Sequence, residues 1–290
     1  MSLVEAVVNG LMLGGLYGLF GLGLALAFGI MRIVNIAHGE FVVLAAYLGM
    51  TLLTMTPLPL PAVVIAVAAS AFALGWLLQA AVLNRVVGPN PVPAMIVTIG
   101  ISIVIRNLLV KLYGADIHSI EVGSIQNMGV SLFGLTIGVL PLLIFATALA
   151  LFVGVHLLLT HTTLGRAFRA AADDFEILET LGFNRRRVYN AAMGLAVTLS
   201  AVAGLLLAMR SSFSPFSGVE RLLIAFEVVI IGGLASLRGC FLGGLFLGVV
   251  QVVGLKINPN SGPLFGHLAF FAVLLARQVE FSRLASWRVR

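Results

Sequence analysis

Long runs of apolar residues are the feature that most constrains what this chain can fold into. A helix needs about 20 apolar residues to cross a bilayer, or about 17 at the short end. Some of the apolar runs reach this length and others fall short of it: 7–30, 41–55, 62–83, 94–105, 132–159, 191–209, 222–237, 241–255 and 264–276. Hydrophobic residues make up 60% of the chain and the mean hydropathy is +1.13, whereas about half of a soluble domain is apolar. The sequence therefore predicts an all-α, polytopic membrane protein.

Composition excludes several other classes of protein. A disordered chain would be polar, and an outer-membrane barrel would show alternating segments of about ten residues. The net charge of +6 fits basic residues collected in cytoplasmic loops, so we expect no nucleic-acid partner. The single cysteine, Cys240, excludes an intramolecular disulfide.

The polar sequence MRIVNIAHGE, residues 31–40, separates the first two apolar runs. The second run, 41–55, is long enough to cross only if this polar turn also lies at membrane depth. Non-helical backbone persists there only when it is buried in protein or lines a cavity, so short or re-entrant segments point to a transport pathway. The alternative interpretation is that the loop boundaries are misplaced by a few residues.

Charge is concentrated in one internal stretch. Only 10% of the chain is charged, yet nine of its 28 charged residues lie between positions 166 and 187. Five of the 17 basic residues are in this stretch and four more are in the tail, 277–290. Basic residues collect on the cytoplasmic side, and the even number of apolar runs between the two regions returns the chain to one side. We predict a single transmembrane domain, 1–290, with a cytoplasmic loop at 162–190 and a cytoplasmic tail at 277–290.

The charged loop has the pattern of a helix, a glycine turn and a second helix. Its apolar residues recur at intervals of three and four, which makes one stripe on a helix: Phe168, Ala171, Phe175, Leu178 and Gly182. Gly182 is expected to end the first helix and Asn184 to cap the second. The loop is either a solvated amphipathic helix or a docking element for a cytoplasmic partner.

This loop resembles the cytoplasmic coupling loop of ABC importer permeases. The pattern of that family is Glu-Ala-Ala, three residues, then Gly; here Glu176, Ile177 and Leu178 precede Gly182 at the same spacing, without the alanines. Longer stretches resemble the LivH-type permeases of branched-chain amino-acid importers: 15–41, 98–116, 164–208 and 228–248. Those permeases often carry a Pro-containing GLFG tail after the last span, whereas GPLFG, at 262–266, comes before the last run here.

The resemblance implies a multi-pass subunit of the bacterial inner membrane that forms half of a translocation pathway and carries no enzymatic chemistry. Its partners would be a second homologous permease, two cytoplasmic ATPase subunits, a periplasmic substrate-binding protein and membrane lipid. ATP and Mg would be bound by the ATPases, and no cofactor by this chain. The substrate would be a branched-chain or another hydrophobic or polar amino acid, with urea or a short-chain amide as the alternative. Contacts with the ATPases are expected at Phe168, Ala171, Phe175, Glu176, Leu178 and Gly182.

The sequence contains no motif for catalysis or metal binding. It has no GxxxxGK[ST] nucleotide loop, no HExxH and no Cys/His cluster. We therefore expect neither catalytic residues nor a metal site in this chain.

Four polar residues in or beside apolar runs are candidates for lining or gating the pathway: Asn35, His38, Glu40 and Glu227. An acid at the bilayer centre costs about 2.5 to 3.5 kcal/mol on insertion scales, so it should face protein or water. The alternative roles are structural: a polar turn that holds backbone groups, and for Glu227 a hydrogen bond between helices. A proton-coupled secondary transporter using Glu40 or Glu227 is the rival function. An intramembrane hydrolase is disfavoured because the apolar runs contain no Asp.

Overall fold

The computed structural model describes residues 2–88, 90–132, 135–173, 178, 180 and 182–287. Seven of the helices in these residues are long and apolar enough to cross a membrane, and a shorter apolar helical stretch covers 262–277. The predicted all-α, polytopic class is therefore confirmed. The α-helices and strands are α1 (Leu3–Met31), α2 (His38–Met55), α3 (Leu60–Ala81), α4 (Val92–Tyr113), β1 (Gly129–Leu132), β2 (Leu135–Gly138), α5 (Val139–His161), α6 (Thr163–Asp173), α7 (Arg185–Arg210), α8 (Gly218–Gly232), α9 (Leu237–Ile257) and α10 (Gly262–Trp287).

The helices α1–α4 and α7–α10 form two structural repeats. Helix α1 packs on α9 as α3 packs on α7, and α2 packs on α7 as α8 packs on α1. Each repeat has a long buried first helix that ends in Met-Arg, then a short break, then a shorter helix. The end of α1 and the beginning of α7 line one cleft through Met31 and Arg185, so the two helices run in opposite directions. This is the inverted arrangement found in many transporters.

Glycines allow the close contact between α1 and α9. A Cβ at Gly248 would overlap the backbone of Gly10 and Gly14, and a Cβ at Gly244 would overlap Gly18. Small residues spaced by four let two helix backbones approach closely, which increases the van der Waals packing that helps helices associate in lipid. Most residues of α1 and α7 are buried, so these two helices lie at the centre of the bundle.

The breaks at 32–37 and 211–217 both turn back into the span. The first break leads to His38, whose ring bonds the carbonyl of Phe20 in α1. In the second break, Phe213 packs against Tyr47 in α2, at a ring-centroid distance of 5.0 Å. Helices α2 and α8 therefore begin inside the bundle, and the turn at 31–40 lies at membrane depth, as the length of the second run required.

The charged loop and the C-terminal tail lie on the same side of the bundle. Arg277, at the start of the tail, donates to the carbonyls of Ile230 and Ile231 at the end of α8. Arg169 of α6 lines a cleft with Ala235, three residues after the end of α8. The two basic regions therefore lie at one end of the bundle, as the parity argument expects, and their cytoplasmic location stays a prediction.

Two of the boundaries that differ from the sequence expectation have a clear structural reason. The run 94–105 was expected to break at Arg106, but α4 continues to Tyr113 because Glu40 pairs with that arginine. The run 132–159 was expected to be one span, but its first residues belong to an antiparallel hairpin in which Val130 pairs with Ile137, and α5 begins only at Val139. Apolar side chains on a short hairpin look like the start of an apolar helix when only hydropathy is read.

Candidate functional site

The break between α1 and α2 is held by side chains from two other helices. Asn35 Oδ1 accepts from the Ala37 N–H at 3.1 Å, which satisfies a donor in the turn before α2. Thr98 Oγ1 of α4 accepts from the Ile36 N–H at 3.2 Å, and the Asn35 amide reaches the sulfur of Met193 in α7 at 3.8 Å. These bonds replace the helical bonds that the break gives up, which membrane burial requires.

His38 joins three helices at the start of α2. Its Nε2 lies 2.8 Å from the carbonyl oxygen of Phe20, so this nitrogen carries the donated hydrogen. Its Nδ1 lies 3.2 Å from the hydroxyl of Ser200 in α7. The ring therefore fixes the depth at which α2 begins relative to α1 and α7.

Glu40 lies where the two short helices meet. Arg106 Nε donates to Glu40 Oε1 at 3.1 Å, and Nη2 of the same arginine contacts the same oxygen. The other oxygen, Oε2, is buried, has no hydrogen-bond partner among the described residues and faces Gly218 at the beginning of α8. The carboxylate therefore sits between the Arg106 guanidinium and the beginning of α8.

The meeting point of α2 and α8 excludes side chains. A Cβ at Gly39 would overlap the Gly218 carbonyl, and a Cβ at Gly218 would overlap the Glu40 carboxylate. These two glycines therefore permit the contact between the beginnings of the two short helices.

Glu227 forms the corresponding contact in the second repeat. Its Oε1 is bonded to Nδ1 of His267 in α10, as Glu40 of α2 is bonded to Arg106 of α4. In each repeat, the short second helix carries an acid that binds a basic side chain of the fourth helix. Glu227 thereby ties α8 to α10, which matches the interhelical bond weighed as its structural role.

The predicted pathway residues are interior in this chain. Each of the four keeps only 2% of its surface exposed: Asn35, His38, Glu40 and Glu227. The structure brings Asn35, His38 and Glu40 together at the start of α2 and places Glu227 separately, on α8. Their role in lining or gating a pathway stays a prediction. As they stand, they anchor the two short helices.

The apolar stripe of the charged loop faces this chain's own helices. Phe168, Ala171 and Leu178 are all buried, and a Cβ at Gly165 would overlap the last carbonyls of α5. The exposed face of α6 carries its charged residues, among them Arg166. A docking partner would therefore meet this charged face, whereas the expectation had placed the stripe in a groove on the partner. Phe175 and Glu176 lie outside the described residues.

The end of the loop has the predicted turn. Gly182 has φ = 79° and the Phe183 N–H bonds the Leu178 carbonyl at 3.2 Å, which is the long bond of a Schellman motif. The Asn184 side chain then accepts from the Arg187 N–H at 3.2 Å and caps α7. The glycine stop and the asparagine cap are both confirmed.

Arg32 connects the loop to the first break. It ends α1 in the left-handed conformation, with φ = 53°, and its Nη2 donates to the Ala172 carbonyl of α6 at 3.1 Å. Sequence reasoning missed this residue, as it missed Arg106 and His267. A basic residue in or beside an apolar run, with a lone acid in another, is the signal that could have indicated the two buried pairs.

Residues 6–276 match the family model described as branched-chain amino acid transport system / permease component. This match begins within α1 and ends within α10. The chain belongs to this family.

Three relatives show how far the likeness of this permease extends. The high-affinity branched-chain amino acid transport system permease protein BraD of Pseudomonas aeruginosa is 29% identical over 94% of this chain and 92% of its own length. The corresponding LivH of Salmonella typhimurium is 28% identical over 86% of this chain and 85% of its own. The autoinducer 2 import system permease protein LsrC of Klebsiella pneumoniae is 32% identical over 62% of this chain and 53% of its own. No solved structure matches.

The permease is a multi-pass membrane protein and a transport subunit. Its seven long apolar helices and its relatives agree on this point. Within the described residues, no group of three or more His, Cys, Asp or Glu side chains is placed to hold a metal ion.

Proposed function

We propose that this chain is one permease subunit of an ATP-driven importer of branched-chain amino acids in the bacterial inner membrane. The family match over nearly the whole chain and the names of BraD and LivH support this substrate class. A second, homologous permease supplies the other half of the pathway, and a periplasmic binding protein delivers the substrate. Two ATPase subunits bind ATP and Mg on the cytoplasmic side.

The attachment of α6 to the transmembrane helices is the observation that carries the coupling part of this proposal. Phe168 of α6 is only 1% exposed, and Arg32 at the end of α1 donates a hydrogen bond to the Ala172 carbonyl of α6. A force applied by an ATPase to the charged face of α6 is therefore transmitted to the first break. That break is continuous with His38 and Glu40, where α2 meets α8. Movement of α6 is expected to shift the two short helices against each other.

Reconstituted uptake tests the proposal against its rival, the proton-coupled transporter. The permease is purified with its ATPase subunits and its partner permease and placed in liposomes, and labelled leucine is added outside with the binding protein. Uptake should require ATP inside the liposomes and should be absent when a pH gradient is the only energy source. Uptake driven by the gradient without the ATPases would overturn the proposal in favour of the rival.

The substrate is the finer part of the proposal and has its own experiment. LsrC is named for autoinducer 2 import, so related permeases are named for different cargoes, and urea and short-chain amides remain alternatives. Mass spectrometry of the small molecule retained by the purified complex with its binding protein identifies the cargo. Leucine, isoleucine or valine is the expected result, and urea or an amide would replace the substrate assignment.

A further inference from the structure

Five polar side chains form a group, the outer cluster, in the half of the bundle away from α6: Tyr17, Arg210, Glu220, Arg221 and Gln251. Helix α7 runs from Arg185, beside α6, to Arg210, which is about 39 Å at 1.5 Å per residue. Glu220 and Arg221 lie in the first turn of α8. The Tyr17 hydroxyl donates to Gln251 Oε1 at 2.7 Å, and Tyr17 lies within electrostatic range of both arginines and of Glu220.

The outer cluster has an excess of positive charge and of hydrogen-bond donors. It holds two guanidinium groups and one carboxylate, and Glu220 Oε1 already accepts from Arg221 Nη1 at 3.1 Å. Arg210 Nη1 and Arg221 Nε are buried and have no hydrogen-bond partner among the described residues. Leaving such a donor unsatisfied costs about 1 to 3 kcal/mol, and more when it is charged. Basic residues are also depleted on the outer side of membrane proteins, so their presence here calls for an acceptor.

One side of the outer cluster is open and apolar. Phe216, Val219 and Leu223 expose 56%, 57% and 45% of their surface, and Glu220, on the same stretch, exposes 53% of its side chain. The cluster lies at the beginning of a helix that starts inside the bundle. An ionised carboxylate there cannot face hydrocarbon at low cost, so this face meets water or protein. Around the first turn of α8, Glu220 therefore lies between the apolar side chains and Arg221, because successive residues of a helix are about 100° apart.

We infer that the outer cluster binds the zwitterionic end of an amino acid as it enters the pathway. Arg210 and Arg221 receive the carboxylate, because a guanidinium matches a carboxylate with two parallel hydrogen bonds. Glu220 receives the ammonium group, and Phe216, Val219 and Leu223 contact the aliphatic side chain. This assignment rests on the proposed function, and it locates within the chain the site that the sequence had left open. In the sequence, residues 210–221 have the composition of a polar loop between two apolar runs, which hides the site.

Kinetics of leucine uptake test the assignment in the complete transporter with saturating binding protein. Arg221→Gln and Arg210→Gln should each lower kcat/KM for uptake about tenfold, the size expected for losing one charge-assisted hydrogen bond. Arg221→Lys keeps the positive charge but loses the planar guanidinium that can form two parallel hydrogen bonds. Its kcat/KM should therefore lie between those of the wild type and Arg221→Gln. Lys256→Gln removes another exposed cation from the end of α9 on the same side and should be without effect.

The outcomes of this kinetic test separate the two levels of the proposal. Leucine uptake by the wild type together with undiminished uptake by both glutamine variants would overturn the outer cluster alone. No leucine uptake by the wild type would overturn the proposed function and the site with it. A rise only in the concentration of binding protein needed for half-maximal uptake would make the cluster a protein-docking surface and would also overturn the site.

Cysteine labelling tests whether the cluster faces water, independently of transport. The native Cys240 is buried, so a new cysteine at Val219 can be read alone. A membrane-impermeant sulfonate thiol reagent should label Val219→Cys faster than Ile65→Cys, which is exposed on α3. Adding Arg221→Gln should slow the labelling, because the positive charge attracts the anionic reagent. Equal labelling of Val219→Cys and Ile65→Cys would contradict the site even if the arginine variants transport poorly.

Discussion

Glu40 and Arg106 form an ion pair inside the helix bundle, although 66 positions separate them in the sequence. The pair ties α2 to α4, and the second oxygen of the carboxylate faces the beginning of α8. One side chain therefore connects three helices at the point where the two repeats meet. We expect the repeats to move against each other at this point during transport.

Neutralising Glu40 should reduce transport while the complex still assembles. Glu40→Gln keeps the shape and leaves Arg106 without its charge partner, and breaking a buried pair costs up to about 3 to 5 kcal/mol. The melting temperature in detergent and leucine uptake should both fall. Glu40→Gln/Arg106→Gln removes both charges and should recover most of the melting temperature. Wild-type uptake by the single variant would reduce Glu40 to a structural residue.

Glu227→Gln should lower stability more than the transport rate. Glu227 ties α8 to His267 of α10, so the loss is expected in helix packing. Detergent melting and uptake, measured on the same preparation, show which quantity falls further. His267→Gln is the matched variant and should reproduce the melting change. A large fall in uptake at unchanged melting temperature would instead assign Glu227 to the pathway.

An alanine at Gly218 should destabilise the permease by about 1 to 3 kcal/mol, the usual cost of overpacking. Its methyl group would overlap the Glu40 carboxylate. Gly100, on α4, has open space around it, and Gly100→Ala should be neutral or slightly stabilising because alanine favours the helix. Detergent melting curves compare the two variants. Equal melting temperatures would mean that the two short helices do not meet as described.

Gly182→Val should impair ATPase binding without touching a span. The position has φ = 79°, which costs a residue with a side chain on the order of 1 to 2 kcal/mol. Co-purification of the ATPase and substrate-stimulated ATP hydrolysis should both fall. Gly123→Val places the same strain at φ = 66° in the loop between α4 and α5, away from α6, and should leave co-purification intact. Phe175→Ala should act like Gly182→Val, and full ATPase binding by both variants would refute the docking role of the loop.

Local features were predictable from the sequence, and tertiary pairings were not. Gly182 and Asn184 act through bonds to residues within a few positions, so spacing alone indicated them. The apolar run stops before Arg106, so the sequence alone indicated that the span ends there. Arg106 instead lies within α4 and pairs with Glu40, 66 positions away in the chain. The stripe of Phe168 and Leu178 was recognisable as one apolar face. Hydropathy cannot say whether such a face is covered by the same chain or by a partner, and here the chain covers it.

The beginning of α8 was missed for a related reason. Pro215 and the serines around it are typical of an exposed loop, and they do form the break before Gly218. The inverted repeat explains why this loop turns back into the bundle: it occupies the position that residues 32–37 occupy in the first repeat. The packing of α1 on α9 and of α3 on α7 is what makes the repeat visible. In the sequence, the two breaks share only a Met-Arg pair, which is too short to indicate a repeat.

The most direct test of the account measures leucine uptake and ATP hydrolysis together in proteoliposomes that hold the complete transporter. The central claim is that ATP-driven movement reaches the pathway through α6 and the Arg32 contact with Ala172. Arg32→Gln removes that contact, whereas Lys256→Gln removes an exposed cation from the end of α9, away from α6. We expect Arg32→Gln to keep the ATPases bound and hydrolysing ATP but to transport less leucine per ATP than the wild type or Lys256→Gln. An unchanged ratio of leucine to ATP in Arg32→Gln would contradict it.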